Sequence, residues 1–444
     1  MGFNRDIVKE NLLKICMDTQ EVDRSKKIGK VWFGKERFIT LYDEDRVCFN
    51  NALKELLNDS FIENNVTTKF LEQELQKIIH ETFGISRDDR DAYLNKWLEE
   101  LKDSIEERME EWVFIIPLEN VSLHNEPFEV GNVKLYTFNE NKAEEFMSTA
   151  TALLNRDLSE YEKEEWSNLK KSNSNRVCAE VKVKGLLDKS QEIALKKVRT
   201  ALNILRLYTY PKSDDSLRRY FGIVGEVIPG DVRHILGFTE DKKWIFPIPE
   251  DFGYLAPFEL DQERIEFMKR YGFEIVNEIL KRDKHNSFET RLLASIYWFG
   301  SGLNISEIKA AEIQKQKEKK QKNKHEDFEY FNAGDRFLKF FIALESLLIF
   351  DENEPITNNI AERVAFLLGD KYEERKEIKK RMKDLYGVRS KIVHHGDVDI
   401  TRYDLRDLTE VTQSVIINLI LRKDELGIKS KEDLYEWFEK QKLS

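Results

Sequence analysis

Cysteine is scarce in this sequence. Cys16, Cys48 and Cys178 are the only three among 444 residues, and they lie far apart. An odd, widely spaced set predicts neither a disulfide framework nor a cysteine metal site. We therefore expect a reducing compartment, the cytoplasm, as the location of the protein.

Long apolar runs and targeting segments are missing as well. The densest apolar stretch, residues 337–350, is too short to span a bilayer and contains Lys339 and Glu345. Residues 1–10 are charged, which does not fit a secretory leader. Asp6 stands where a myristoylation signal needs Ser or Thr. The sequence thus predicts no membrane partner.

Positive charge is in the minority. The formal net charge is −11, which argues against a general nucleic-acid coat, so any nucleic-acid site must be local. With 444 residues and 41% apolar content, the chain can form two or three domains with their own cores.

Proline is absent before Pro117, and the first part of the chain has helical spacing. Three strand patterns follow: an apolar run that Pro117 is expected to end, a hairpin with Gly131-Asn132 at its turn, and an alternating half-buried strand (residues 112–116, 128–138 and 176–184). We predict a predominantly helical α+β fold with four parts: a helical region, a mixed α+β sensor or regulatory domain, a helical connector and a C-terminal helical bundle (residues 1–110, 111–258, 259–330 and 331–444).

The connector contains a lysine-rich segment at residues 313–326. Six lysines and almost no apolar side chain leave it without a face to bury (Lys315, Lys317, Lys319, Lys320, Lys322 and Lys324). Such a segment is typical of a solvated loop, and contact with RNA phosphates is the alternative.

Helical spacing in the last part of the chain predicts four helices and a short fifth one. Their expected positions are 335–350, 357–368, 372–393, a helix that starts at Thr401 and ends at Gly427, and a last helix opened by Ser430 and Asp433.

Two features of this bundle depart from a purely structural pattern. Glu345 lies in the most apolar helix, where a carboxylate needs a partner such as Arg363, Arg389 or a histidine. Residues 371–389 contain eight basic and four acidic side chains and lead directly to the pair His394-His395.

Three segments of the C-terminal bundle form a pattern: residues 341–348, residues 361–368 and Val388-Arg389-Ser390-Lys391-Ile392-Val393-His394-His395-Gly396. Together they resemble HEPN domains, in particular the Apea-like HEPN family of prokaryotic defence and toxin proteins. The resemblance covers residues 331–422 and is weaker over 112–208. The last motif is similar to the family's R-x4–6-H signature. His395 also satisfies that spacing, but the family's apolar-apolar-His pattern favours His394. Asp397 and Val398 stand where adenylylated HEPN toxins have a tyrosine, which disfavours such a switch.

The resemblance implies a metal-independent endoribonuclease without a cofactor. Arg389 would stabilise the phosphate charge and His394 would act as acid or base, because RNA offers its 2′-OH as an internal nucleophile. The expected product carries a 2′,3′-cyclic phosphate. Supporting residues and RNA-binding lysines are expected close by (Glu345, Ser390, Lys391 and His395; Lys379, Lys380 and Lys383).

Helix geometry adds a homodimer to these expectations. Residues five positions apart lie about 140° apart around a helix axis, so one helix presents Arg389 and His394 poorly to one phosphate unless it unwinds near Gly396. HEPN nucleases are dimers, which would bring two helix ends together. The structural alternative is an ion pair between Glu345 and Arg389 and a histidine pair that suits a helix C-terminus.

The leading function is thus an antiphage-defence or toxin effector that cleaves RNA, such as tRNA or mRNA, after a phage-derived or nucleic-acid trigger. The alternative is a non-catalytic HEPN module that dimerises or binds RNA or nucleotides. A metal-dependent nuclease would need an acidic cluster that the sequence does not offer.

Overall fold

Helices dominate the chain in the computed structural model. It describes residues 2–15, 29–33, 37–41, 43–82, 85–124, 127–154, 156–209, 221–226, 234–238, 245–249, 258–304, 333–395 and 400–443. With its helices and a largely antiparallel sheet, the fold is α+β and predominantly helical, as predicted. The lysine-rich segment at 313–326 lies outside the described residues. Contacts divide the chain into two units, Met1–Phe114 with Lys182–Lys196, and Ile115–Val181 with Lys197–Ser444.

The first unit is mostly helical. Its helices begin at side-chain caps that satisfy the exposed N–H groups of the first turn; Asp59, Thr67 and Ser86 supply three of them. Leucine and isoleucine side chains from these helices form its core. The elements are α1 Arg5–Lys14, β1 Gly29–Phe33, β2 Arg37–Leu41, α2 Asp43–Leu57, α3 Ser60–Asn65, α4 Thr68–Glu81 and α5 Arg87–Glu107.

The hairpin of β1 and β2 was not predicted, because the lack of proline favoured helices throughout residues 1–110. The strands pair antiparallel from Gly29 opposite Leu41 to Phe33 opposite Arg37. Both are rich in aromatic and β-branched residues, which favour strands. The strand-favouring side chains of these two segments therefore decided their conformation, and the absence of proline did not make them helical.

The middle of the chain holds a five-stranded sheet in the order β5-β6-β7-β3-β8. The predicted hairpin is confirmed: β5 and β6 pair antiparallel, and Gly131 at the turn has a φ of 59°. The elements are β3 Glu110–Glu119, β4 Val121–Leu123, β5 Phe128–Val130, β6 Val133–Thr137, α6 Glu140–Leu154, α7 Glu160–Asn173, β7 Val177–Gly185, α8 Leu187–Leu207, β8 Gly222–Ile223, β9 His234–Phe238, β10 Ile245–Pro249 and β11 Phe258–Leu260.

The prediction that Pro117 ends the first strand was wrong. Strand β3 continues to Glu119, and Leu118 pairs with Ile223 of β8. Pro117 lacks an N–H, but its carbonyl still accepts a hydrogen bond from the Val224 N–H at 3.0 Å. The strand therefore passes through the proline.

After Leu260 the described part of the chain is helical. The helices are α9 Gln262–Arg270, α10 Phe273–Leu280, α11 Ser287–Leu303, α12 Ala333–Leu348, α13 Ile356–Leu368, α14 Tyr372–His395, α15 Arg402–Arg422 and α16 Lys431–Lys442. Helix α12 is central and contacts α11, α13, α14 and α15. Most of its apolar side chains are buried, and it approaches α11 so closely that a Cβ at Gly302 would lie 2.6 Å from the Phe340 ring.

Apart from the end of α15, the bounds of these C-terminal helices agree with the predicted ones within about two residues. Thr401 caps α15 by accepting from the Asp404 N–H at 3.1 Å, and Ser430 with Asp433 forms a capping box at α16. The predicted end at Gly427 was wrong, because α15 ends at Arg422 and turns lead from there to Gly427.

Candidate functional site

The candidate site begins with an ion pair between two helices of the C-terminal bundle. Glu345 lies on α12 and Arg389 on α14, and Glu345 Oε1 is 3.3 Å from Arg389 Nη2. The two side chains are 21% and 25% exposed. Among the partners that the sequence offered to Glu345, the fold therefore selects Arg389.

Glu345 is incompletely satisfied in this pair. Burial raises the pKa of its carboxyl above the ordinary value of 4.5, and the nearby Arg389 charge only partly offsets that effect. Its Oε1 has no hydrogen-bond partner within the described residues. A buried polar atom without a partner costs free energy of order 1–3 kcal/mol. Burial of this carboxylate therefore lowers the stability of the folded state.

Arg389 is held by an aromatic ring as well as by the carboxylate. Its guanidinium carbon lies 5.2 Å from the ring centroid of Tyr386, one turn earlier on α14. Burial raises the pKa of Tyr386, and a hydrogen bond with Thr357 is among the effects that lower it. Phe341 of α12 packs edge-on against the same ring at 5.3 Å. The ring is therefore fixed by two other helices.

Several donors of Arg389 are not used by these contacts. A guanidinium has five N–H groups, and the one carboxylate contact of Arg389 uses Nη2. Its Nε is buried and has no hydrogen-bond partner in the part of the chain that is described. With a quarter of its side chain exposed, the cation can accept an anionic ligand on its open side.

His394 lies on the same helix but not beside Arg389. The α-helical conformation continues through His395, so the unwinding that would have turned the two side chains together does not occur before that residue. At about 100° per residue they face directions about 140° apart. His394 is exposed at the end of α14, and one chain does not bring the two residues together.

Three further residues of the motif region, which were predicted to support the site, differ in their surroundings. Ser390 is half-buried and Lys391 is exposed. The side chain of His395 and residues 396–399 lie outside the described part, so the choice between His394 and His395 stays a prediction.

The three lysines predicted to bind RNA separate into two kinds. Lys379 forms a short ion pair with Glu362 of α13. Lys380 and Lys383 are exposed and form no ion pair within the described residues.

Tyr386 and Thr357 were not singled out from the sequence. Tyr386 was assigned to the apolar stripe of its helix, and its position three residues before Arg389 is the only local feature that indicates a stacking role. Thr357 belongs to α13, and nothing in the sequence near it indicates a contact with Tyr386.

Comparisons with known proteins do not extend this picture: no protein-family model, curated protein or solved structure matches the chain. Among the described residues, no three His, Cys, Asp or Glu side chains are grouped closely enough to hold a metal ion. No helix in the described ranges is long and apolar enough to cross a bilayer.

Proposed function

We propose that the chain is a metal-independent endoribonuclease, with residues 331–444 as a HEPN-type nuclease domain. One observation carries the proposal. Arg389, the first residue of the R-x4-H motif, is fixed against Tyr386 and Glu345 with donors left over, and the same helix ends at an exposed His394. An oriented but under-used guanidinium is suited to a phosphate.

The reaction that fits these groups is internal transfer at the RNA phosphate. A neutral histidine takes the proton of the 2′-OH, and the 2′ oxygen forms a bond to phosphorus. The bond from phosphorus to the 5′ oxygen breaks, and a protonated histidine gives that oxygen its proton. Arg389 stabilises the additional negative charge of the transition state. The products are a 2′,3′-cyclic phosphate and a 5′-OH.

We infer that the active form is a homodimer. One chain supplies one motif histidine on a face away from its own Arg389, whereas two helix ends supply a base, an acid and two guanidinium groups. Val393, the residue before His394, is 51% exposed and leaves an apolar side chain for a partner at this end of α14. A chain that is monomeric at its working concentration in light scattering contradicts this part.

The proposal assigns supporting roles to the remaining part of the chain. Glu345 orients Arg389, and Ser390, Lys391 and His395 are candidates for contacts to the scissile phosphate. Residues 111–258 would sense a phage-derived or nucleic-acid trigger, and the effector would act in the cytoplasm on RNA such as tRNA or mRNA.

The direct test incubates wild type and His394→Ala with total RNA and with tRNA in EDTA. His124→Ala, which removes an exposed histidine far along the sequence, is the matched control. We expect wild type and the control to produce cyclic-phosphate ends and His394→Ala to produce none. Cleavage that is equal in all three chains contradicts the role of His394, and cleavage that EDTA abolishes contradicts the mechanism.

A second candidate is a binding module without catalysis. It is favoured by the ion pair itself, because Glu345 and Arg389 join α12 to α14 whether or not RNA is present. A folded, dimeric wild type that binds RNA and never cleaves it, with or without phage infection of the expressing cell, would support this candidate.

A further inference from the structure

The basic side chains of helix α14 form two groups that point in different directions. Four of them are engaged with neighbouring elements. Arg375 donates to the Gly369 carbonyl at 2.9 Å, and Lys379 pairs with Glu362. Arg381 contacts Asp404 and Asp407 at 2.8 and 2.7 Å, and Arg389 contacts Glu345. These four cations are used for contacts within the fold.

Five other basic residues of α14 that the structure describes face away from the bundle. At about 100° per residue, six positions fall within a sector of about 80°, and all six are exposed. We call them the outward stripe: Lys376, Lys380, Lys383, Gly387, Lys391 and His394. The first and last are five turns apart, so the stripe is straight and about 27 Å long.

Hardly any of this charge is neutralised. Lys376 has only a weak contact with the exposed Glu373, at 3.9 Å. Lys380, Lys383 and Lys391 have no ion pair with any described residue. Glu373 lies in the same sector one turn before Lys376, and Glu377 and Asp384 border the stripe on one side only. A protein of net charge −11 thus keeps a line of unpaired lysines on one helix.

Gly387 leaves an open place in the middle of this line. A Cβ at this position would have no atom within 4 Å. Glycine in a helix interior costs about 1 kcal/mol relative to alanine, and internal packing does not require it here. A ligand that lies along the helix can therefore approach the backbone at Gly387.

We propose that the outward stripe binds a single RNA strand, whose phosphates contact Lys380, Lys383 and Lys391 and whose path along the helix leads to His394. This inference rests on the proposed function for the identity of the polyanion. Charge complementarity carries it, since the stripe holds four lysines along one line that leads to the candidate acid–base residue. Arg389 lies on the opposite side of the helix and is not part of the stripe.

The test measures binding of a fluorescent oligo(U) RNA by anisotropy over a range of salt concentrations. The full-length chain with His394→Ala serves as the background, so that binding is read without cleavage. The test variant adds Lys380→Gln, Lys383→Gln and Lys391→Gln. The control adds Lys429→Gln, Lys440→Gln and Lys442→Gln, which remove the same charge from exposed positions outside α14.

For single strands, the slope of log K against log salt changes by about 0.7 per phosphate contact. We expect the test variant to lower the slope by about 2 and the affinity by at least about tenfold, and the control to change neither. Equal slopes in test and control, or no RNA binding by the background chain, overturn the inference. If the test variant loses affinity for heparin but not for RNA, the inference is also overturned, and another polyanion is indicated as the ligand.

A second pair of variants needs no change to any lysine. Gly387→Ala and Gly387→Glu both enter open space, so both chains are expected to fold. We expect alanine to preserve RNA binding and glutamate to weaken it several-fold, because it places a carboxylate in the middle of the stripe. Equal binding by the two variants contradicts the docking of RNA along α14.

These results separate the inference from the proposed nuclease. Wild type that cleaves RNA, together with lysine variants that bind normally, rejects the stripe and keeps the nuclease. Lysine-dependent binding by a wild type that never cleaves keeps the stripe and rejects the nuclease.

Discussion

Two arginine–carboxylate pairs lie in the C-terminal bundle and differ in how completely their carboxylates are satisfied. Arg363 of α13 is 2% exposed, donates to Glu354 at 2.5 Å and to the Leu348 carbonyl at 2.6 Å, and stacks on Phe350 at 4.7 Å. Arg389 of α14 has a single carboxylate contact at 3.3 Å and one ring. The first pair is largely buried and its carboxylate is hydrogen-bonded, whereas the second is partly exposed and its carboxylate oxygen Oε1 has no hydrogen-bond partner within the described residues. Both arginines have a buried Nε without a partner there.

The carboxylates of the two pairs have opposite pKa shifts. Burial alone would raise the pKa of Glu354, but hydrogen bonds from Arg363 and Asn359 outweigh it, and the pKa is lowered. For Glu345, burial outweighs the charge of Arg389, and the pKa is raised. Hydrogen bonding to the charged form is the deciding difference. The comparison teaches that an ion pair at a site can be recognised by what it leaves unsatisfied.

The largest expected effect on stability is at Arg363. Arg363→Ala removes the partner of a buried carboxylate and should lower the free energy of unfolding by about 3–5 kcal/mol. Arg389→Ala should cost about 1 kcal/mol or less, because its pair is partly exposed. Hydrogen exchange of peptides from α12 to α14 measures both. Equal losses would remove the distinction between the two pairs.

For the rate of RNA cleavage, we expect the larger effect at Arg389 and the smaller one at Arg363. Arg389→Ala should lower the rate of RNA cleavage by about 10²–10³-fold, the usual effect of removing one group that stabilises developing negative charge. Arg389→Lys should recover only part of that rate, because lysine cannot bind a phosphate in two places. Single-turnover cleavage measures the rates. A wild-type rate in Arg389→Ala would show that this guanidinium is structural.

The two carboxylates should also give opposite pH dependences. The folded chain holds the Glu345 proton more tightly than the unfolded chain, so its contribution to stability declines as pH rises from 4.5 through the raised pKa. The contribution of Glu354 is present above 4.5 and is lost as pH falls through its lowered pKa.

Unfolding free energies of Glu345→Gln and Glu354→Gln, measured against wild type over that pH range, test this difference. Glu345→Gln should become more stable relative to wild type as pH rises, and Glu354→Gln less stable. If the stability of both variants relative to wild type changed in the same direction with pH, the opposite pKa shifts of Glu345 and Glu354 would be contradicted.

The sequence predicted those features that depend on local chemistry. The cap at Thr401, the capping box of Ser430 with Asp433 and the turn at Gly131 all follow from side chains within a few residues. The hairpin of β1 and β2 and the passage of β3 through Pro117 were not predicted, because strand pairing depends on partners that a local pattern does not show.

The candidate site could be predicted only in part for the same reason. Glu345 was noticed because a carboxylate in an apolar helix is unusual, but both Arg363 and Arg389 were open as partners. The choice between them depends on how α12, α13 and α14 pack. The catalytic role of Arg389 and His394 remains a proposal, whereas their opposite directions on α14 follow from an unbroken helix.

The aromatic rings beneath the two arginines should differ in the same order, with smaller losses of stability than the one expected for Arg363→Ala. Tyr386→Leu should cost about 0.5–1 kcal/mol from the lost cation–π contact, and Phe350→Leu about 2 kcal/mol, because its arginine is desolvated. Denaturant unfolding measures both, and a larger loss at Tyr386 would contradict the comparison.

The most direct test of the central claim uses one RNA oligonucleotide and the same oligonucleotide with a 2′-deoxy sugar at the cleaved position, both with wild type in EDTA. The account predicts cleavage of the first, with a 2′,3′-cyclic phosphate and a 5′-OH at the new ends, and no cleavage of the second at that position. Cleavage of the deoxy substrate at the same position, or new ends with a 5′-phosphate, would contradict attack by the 2′-OH and with it the proposed mechanism.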